Sequence, residues 1–178
     1  ATATSTLVDP AGIVISSATG TDPLCNGATD GTILITASGG SGALQYSIDG
    51  GATFQAATSF SGLAANTYNV VVEDANNCQV TSTVTLTDPT AVAITLVTPI
   101  DPTCGTANGD ITITASGGTG SLQYSIDNGA TYQGGNNFVG QLPGVFPIIV
   151  QDANGCQTSS SITLTDLGVP VISSVVSN

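Results

Sequence analysis

The feature that most constrains the fold of this chain is an internal repeat with a period of 78 residues. Residues 35–55 and 113–133 are identical at 17 of 21 positions. Self-similarity at a fixed period indicates a tandem array of small units rather than one large domain. All eight aromatic residues keep the same offset, in the pairs Tyr46/Tyr124, Phe54/Tyr132, Phe60/Phe138 and Tyr68/Phe146.

The repeat sets the predicted domain boundaries. We predict one repeat at residues 11–88 and a second at 89–166. Residues 1–10 resemble residues 81–89 and are predicted to be the last strand of a preceding repeat, with 167–178 as the first strand of a following one. Because Pro89 has a fixed φ and biases Asp88 towards extended geometry, we expect a stiff connection between repeats. Further copies are expected on both sides.

Within a repeat, short β-rich runs alternate with clusters of Gly, Asn and Asp, and no stretch has a sustained helical period. Such a pattern is typical of strands joined by turns. The 40% hydrophobic content argues against disorder. Six or seven short strands in about 78 residues predict an all-β fold of tandem Ig-like or fibronectin-like β-sandwiches. The predicted strands of the first repeat are 13–17, 32–38, 44–48, 53–55, 67–73 and 79–87.

Composition excludes several classes of function. The chain has no Lys, Arg or His, and its net charge is −12. Nucleic-acid binding needs cations to neutralise phosphates, and anionic membrane surfaces attract basic segments, so neither partner is expected. No apolar run reaches the roughly 18 residues of a membrane helix, so membrane insertion is not expected either. Paired carboxylates could serve glycoside hydrolysis, but the Asp residues stand beside Gly, Asn and Pro, where turns favour them. We therefore predict that the chain is not an enzyme.

Each repeat contains two cysteines, in equivalent positions. An even count with separations of 53 and 52 residues predicts one disulfide inside each repeat, Cys25–Cys78 and Cys104–Cys156. Disulfides of this kind indicate an oxidising compartment. The alternatives are a metal site or a catalytic thiol, which the absence of CxxC pairs and of His disfavours.

The segment Ser47–Phe54 has the form S-x-D-x-G-x-T-F and recurs as Ser125–Tyr132. It resembles the Asp-box, a turn-stabilising hairpin motif of sialidases and other β-proteins. An Asp carboxylate can cap backbone N–H groups, while Gly supplies positive φ. We therefore predict structural turns at Asp49 and Gly51 and at Asp127 and Gly129; the alternative is a sugar or metal site.

Two further segments, Asp74–Asn77 and Asp152–Gly155, resemble half of a calcium loop. A full loop of the EF type needs more oxygen ligands and a distal Glu, which are missing. A turn between the last two strands is the favoured interpretation. No cofactor is predicted, with calcium at Asp74 and Asp152 as the alternative.

Two motifs concern packing and connections. The run from Leu63 to Tyr68 resembles the tyrosine corner of Ig-like folds, although Phe146 replaces the Tyr in the second repeat. The Gly-rich stretches 38–42 and 116–120 lack the Lys and the following helix of a phosphate loop. They are interpreted as hairpin connections.

Each repeat combines four features: an early Cys, the pattern G-[TD]-I-x-[IV]-x-A-x-G-G-x-G, the hairpin Y-S-I-D-x-G and a closing V-x-D-A-N-[GN]-C. In the second repeat, Ile149, Val150 and Gln151 directly precede the D-A-N-G-C of the closing motif. This combination resembles the SprB repeat of giant cell-surface adhesins in gliding and other Bacteroidota. The resemblance covers nearly the whole chain. It implies export by the type IX secretion route and display as long filaments moved by a motility machine, and it supplies no catalytic residues.

The sequence therefore predicts a structural stalk segment of an adhesin filament, attached to the outer membrane of a Gram-negative bacterium. Its expected partners are neighbouring repeats of the same chain, with surface polysaccharide or the motility and secretion machinery contacting other parts of the protein. The alternatives are carbohydrate- or surface-binding repeats, and accessory repeats of a secreted enzyme. Because binding modules usually present exposed aromatic residues, the core-like positions of the aromatic residues favour the stalk.

Overall fold

The computed structural model describes residues 11–168, and the chain divides into two compact units, residues 1–89 and 90–178. The first unit contains two three-stranded antiparallel sheets, with strand orders β1-β2-β4 and β3-β5-β6. Its strands are β1 (Val14–Thr21), β2 (Gly31–Ser38), β3 (Gln45–Ser47), β4 (Ser59–Leu63), β5 (Asn66–Glu73) and β6 (Gln79–Leu86).

The second unit repeats this arrangement in the sheets β10-β8-β7 and β12-β11-β9. Two sheets built from strands 1-2-4 and 3-5-6 of each repeat have the connectivity of an Ig-like sandwich. The prediction of an all-β, Ig-like fold is confirmed for the described residues. The strands are β7 (Ala93–Ile100), β8 (Gly109–Ser116), β9 (Gln123–Ser125), β10 (Asn137–Gln141), β11 (Gly144–Gln151) and β12 (Gln157–Leu164).

The core lies between the two sheets of each unit. In β2, Ile33 and Ile35 point inwards and are 1% exposed, while Leu34 between them faces out. On the opposite sheet, Val70 and Val72 of β5 are fully buried. Burying one such side chain contributes about 1.5–3 kcal/mol, so this alternation selects which face of each sheet turns inwards. The core of the second unit is built from Val92, Ile111, Ile113, Tyr124, Ile148, Val150 and Leu164.

One predicted strand is wrong, and one strand of the structure was not predicted. Residues 53–55 form no strand, only an isolated bridge from Gln55 to Tyr46, because they belong to the turn that follows β3. Conversely, β4 was not predicted, because Gly62 adopts a φ of 75° beside a register shift and interrupts the alternation.

The Gly-rich stretch 38–42 is not a hairpin connection, because β2 and β3 belong to different sheets. It carries the chain from one sheet to the other. Gly39 has a φ of 85°, and a Cβ there would lie 2.2 Å from the carbonyl oxygen of Gly12. Only glycine fits this close approach of two backbones.

The predicted strand fragments at the two ends of the chain lie outside the described residues, except for Leu167 and Gly168. Leu167 N–H donates to the carbonyl oxygen of Pro102, at 3.1 Å. Within residues 11–168, no helix has the length and apolar character needed to cross a membrane.

Candidate functional site

The Asp-box segment is a closed hydrogen-bonded turn in both units. Asp49 Oδ1 accepts from the Thr53 backbone N–H at 3.0 Å, and its Oδ2 accepts from the Thr53 hydroxyl at 2.6 Å. Ser47, which has no exposed surface, donates its hydroxyl to Asp49 Oδ1 at 2.7 Å and accepts from Gly51 N–H at 2.9 Å. Gly51 has a φ of 90°. These are the contacts that the turn interpretation requires.

In the second unit, Asp127 accepts from Ser125 and from both the N–H and the hydroxyl of Thr131. Gly129, with a φ of 83°, donates to Ser125 Oγ at 2.9 Å. The hydroxyl of Ser125 is the main cause that lowers the pKa of Asp127 to about 2, followed by Thr131. In the first unit the Thr53 hydroxyl is the main cause that holds the pKa of Asp49 far below its usual range. Each carboxylate is therefore ionised at neutral pH and engaged by its own turn.

Asp74 joins the β5–β6 turn to the Gly-rich connection. Its Oδ1 accepts from the backbone N–H groups of Asn76 and Cys78, both at 2.9 Å, and its Oδ2 accepts from Ser41 N–H at 2.8 Å. The Ser41 N–H is the main cause that lowers the pKa of Asp74. With Asn77 in the left-handed region at a φ of 62°, the segment is a tight turn built around a buried carboxylate.

Asp152 has the same role in the second unit, where it accepts from the N–H groups of Asn154, Cys156 and Thr119. Burial raises its pKa, but the surrounding N–H groups, led by that of Thr119, outweigh burial and lower it. Because these donors point at both carboxylate oxygens, a cation would have to displace them, which favours the turn interpretation over calcium. Within residues 11–168, no three His, Cys, Asp or Glu side chains are grouped closely enough to hold a metal ion.

The eight aromatic side chains are all buried or half-buried, and none is exposed. Tyr46 and Tyr124 lie in the two cores. Tyr68 donates its hydroxyl to the carbonyl oxygen of Ala64 at 2.9 Å, which is the hydrogen bond of a tyrosine corner. Phe146 packs against the second core without such a hydroxyl.

The cysteines correct the sequence prediction. Cys78 and Cys104 are free thiols, so neither Cys25–Cys78 nor Cys104–Cys156 is formed, whereas Cys25 and Cys156 are disulfide-bonded. The physical reason lies within each unit. Cys78 directly precedes β6, while the loop of Cys25 is hydrogen-bonded to residues that follow the other end of that strand, through Gly27 N–H and Asp88 Oδ1 at 3.2 Å. Eight strand residues span about 25 Å, and a disulfide joins Cα atoms no more than about 7 Å apart.

The described residues therefore define an Ig-like repeat whose conspicuous polar groups are engaged in its own turns. The family model described as SprB repeat matches residues 17–53 and 96–131, once in each unit. Both matched segments therefore resemble the repeat type that the sequence motifs predicted, which is a cell-surface repeat type. No curated protein sequence matches the chain significantly.

Several solved structures resemble the chain in fold. The N-terminal eight Ig domains of the Down syndrome cell adhesion molecule are 11% identical with a TM-score of 0.42, and the match covers 88% of this chain and 25% of that one. A C-terminal fragment of intimin, solved with the intimin-binding domain of its translocated receptor, is 13% identical with a TM-score of 0.42, covering 90% and 65%. The fibronectin(III)-like modules of Clostridium thermocellum CbhA are 18% identical with a TM-score of 0.32, covering 88% and 94%.

Proposed function

We propose that this chain is a stalk segment of a long, repetitive cell-surface adhesin filament, and that it performs no catalysis. The proposal rests on one observation: the aspartate of each candidate site is hydrogen-bonded to donors of its own unit. Asp49, Asp74, Asp127 and Asp152 are held by hydroxyl and N–H donors of their own turns. Such residues set the geometry of a module, and these four carboxylates are not poised for general acid–base chemistry.

The aromatic residues support a stalk rather than a carbohydrate-binding module. Recognition of a sugar ring commonly uses the exposed face of an aromatic side chain, and all eight aromatic residues are at least half-buried. The aromatic side chains pack in the two cores and beside the Asp-box turns, where a Cβ on Gly51 would contact the ring of Phe54.

The residues leading out of the first unit support a stalk that transmits force. Thr87 donates its N–H and its hydroxyl to Asp22, at 2.8 and 2.9 Å, and the Thr87 N–H is the main cause that lowers the pKa of Asp22. Asn26 Nδ2 donates to the carbonyl oxygen of Pro89 at 3.1 Å. The segment that leaves β6 is thus bound to the β1–β2 loop of its own unit, in addition to the restriction that Pro89 places on it.

The proposed setting is the outer surface of a Gram-negative bacterium, with export by the type IX route and a role in surface adhesion and gliding. The resemblance to SprB repeats supports this setting, and so does the chain's composition. A net charge of −12 without a single Lys or Arg lets like-charged filaments repel one another at low ionic strength.

Deleting one 78-residue period from the full-length surface protein, with both junctions kept in register, tests the proposal. A stalk predicts that the filament seen by electron microscopy shortens while the cells adhere as before. The purified two-repeat chain should also fail to bind surface polysaccharide in a pull-down. Saturable binding of the purified chain to polysaccharide would overturn the stalk and favour a binding module, and a hydrolase domain next to the repeats would favour an accessory role.

A further inference from the structure

We propose that the outer edge of β12 is a self-association site, which pairs antiparallel, about a twofold axis, with the β12 edge of a second copy of this chain. The site lies within the second unit. It consists of the backbone N–H and C=O groups of Ser159, Ser161 and Thr163 together with their small, uncharged side chains.

β12 is an edge strand with one open side. It lies at one end of the sheet β12-β11-β9, and within residues 90–168 it pairs only with β11. All eight residues of Gln157–Leu164 follow one continuous register, without a bulge. A long, regular edge presents a row of unpaired backbone donors and acceptors, which is a template for another strand.

The other three edge strands of this unit are protected against such pairing. β7 contains Pro99 and a register shift between Ile94 and Leu96. β10 has five residues and a register shift between Val139 and Gln141, and β9 has only three residues. Bulges, proline and short length are the features by which β proteins prevent edge-to-edge pairing. β12 has none of these features, and it has no charged side chain.

The hydrogen bonds of the β11–β12 turn indicate which residues face the open edge. Asp152 N–H donates to the Cys156 carbonyl oxygen at 3.0 Å, so this pair is a hydrogen-bonded one. Because such pairs alternate along an antiparallel ladder, the even-numbered residues of β12 bond β11 and the odd-numbered ones point to the edge. Pro147 agrees with this assignment, since it has no N–H and lies opposite the odd-numbered Ser161.

An aspartate limits the open run at its far end. Thr165, the odd-numbered residue that follows β12, donates its N–H to Asp101 Oδ1 at 2.8 Å and its hydroxyl to Oδ2 at 3.0 Å. The run that remains open to another strand extends from Ser159 to Thr163, and its odd-numbered side chains are exposed.

The chemistry of this run favours an identical strand as its occupant. A twofold axis at Ser161 places Ser161 opposite its own copy and Ser159 opposite Thr163, so free N–H groups face free C=O groups. Cross-strand pairs of Ser and Thr hydrogen-bond, whereas like charges directly opposite each other are destabilising. Although the chain carries a net charge of −12, two copies can meet at β12 without opposing carboxylates in the paired strands.

The equivalent edge of the first unit is less suited to pairing. β6 has the same continuous register and exposed threonines at the equivalent positions. However, Glu73 lies opposite Gln79 at one end of β6, where the second unit has the neutral Gln151, and Asp22 binds Thr87 at the other end. Antiparallel pairing would bring these two carboxylates of different copies together. We therefore expect β12 to pair more tightly than β6.

The direction of β12 determines how two paired copies run. The chain enters this unit beside the start of β12, because Thr90 accepts from Gly118 N–H and the adjacent Thr119 donates its N–H to Asp152. β12 leads away from that end, so antiparallel pairing joins two copies that run in opposite directions. On the proposed filament, such pairs would form between filaments of facing cells; this consequence, unlike the pairing itself, rests on the proposed function.

Sedimentation equilibrium of the purified two-repeat chain tests the pairing. We expect a dimer whose dissociation constant falls as salt rises from about 0.02 to about 0.5 M, because screening weakens the repulsion between copies. Ser159→Pro removes one edge N–H from each copy and spares the bonds to β11, so the dissociation constant should rise about tenfold or more. Ser159→Thr keeps the N–H and the hydroxyl and is the matched control, which should dimerise as the parent does.

Amide hydrogen exchange of the parent chain, followed by NMR, gives a readout that needs no variant. The N–H groups of Ser159, Ser161 and Thr163 should exchange slowly in concentrated solution and fast in dilute solution. A chain that stays monomeric at about 1 mM and high salt, a dimer that survives Ser159→Pro, or protection confined to other residues would overturn the proposal. Protection of these amides by an added peptide of residues 157–164, but not by the chain itself, would assign the edge to a separate strand and overturn self-pairing. None of these outcomes bears on the stalk function.

Discussion

Replacing Ser125 by Ala should destabilise the second repeat strongly, although the change removes a single oxygen atom. Ser125 has no exposed surface, so water cannot replace its contacts. Its hydroxyl donates to Asp127 Oδ1 at 2.6 Å and accepts from Gly129 N–H at 2.9 Å. A hydrogen bond to a charged group contributes about 1.5–3 kcal/mol, and a donor left without an acceptor costs about 1–3 kcal/mol.

We therefore expect a loss of about 2–4 kcal/mol in the free energy of unfolding, a large part of the roughly 4–12 kcal/mol available to a domain of this size. The melting temperature of the second repeat should fall by about 10–20 °C. Urea titration followed by NMR signals of the second unit measures the loss separately from the first unit, since two domains do not unfold as one two-state system.

The control is Ser160→Ala in β12, where the serine is exposed. Ser125→Ala should also raise the pKa of Asp127 from about 2 towards its ordinary value, because the Ser125 hydroxyl is the main cause of the lowering. Two outcomes would contradict this role of Ser125: free energies of unfolding of the two variants within about 0.5 kcal/mol of each other, the usual range for surface substitutions, or an unchanged pKa of Asp127.

Three further predictions concern acid, backbone crowding and the tyrosine corner. The five aspartates with lowered pKa values contribute stability above the unfolded pKa of about 4 that is lost as the pH falls towards 2 and below, so urea midpoints should drop over that range and stay level from pH 5 to 7; a midpoint that rises on acidification would contradict this. Gly117→Ala places a Cβ 2.0 Å from the Ala91 carbonyl oxygen at a φ of 79°, so calorimetry should show a marked fall in melting temperature, while Gly134→Ala, which meets no atom within 4 Å, should change little. Tyr68→Phe should cost about 0.5–1.5 kcal/mol in the free energy of unfolding measured by urea denaturation, because it removes the hydrogen bond to the Ala64 carbonyl oxygen. Equal stability of this variant and the parent would contradict the prediction and show that the first repeat needs this bond no more than the second repeat, which has Phe146.

The repeat period, the fold class and the local turns could be predicted from the sequence, because each depends on residues close together in the chain. The Asp-box is an example, since Ser47, Asp49 and Thr53 meet within one turn and their spacing alone brings their hydrogen-bonding groups together. The alternation of Ile33 and Ile35 with exposed neighbours likewise follows from the period of two in a strand.

Whether a disulfide closes inside one repeat was decided by the tertiary structure, in which Cys78 and Cys104 are free thiols. Four strands were predicted between Cys25 and Cys78, at residues 32–38, 44–48, 53–55 and 67–73. If each strand crosses the sandwich in the direction opposite to the one before, an even number of strands returns Cys78 to the end where Cys25 lies. The structure replaces the predicted strand at 53–55 with an irregular return segment and adds β4 at Ser59–Leu63, so the chain reverses once more and Cys78 reaches the opposite end. Sequence separation counts residues but not reversals of direction, and β4 is fixed by its pairing with β2 across the sheet rather than by any pattern of its own. The hydrogen-bonded turns of each repeat could therefore be predicted from the sequence. The end of the sandwich at which each cysteine lies depends instead on long-range strand pairing.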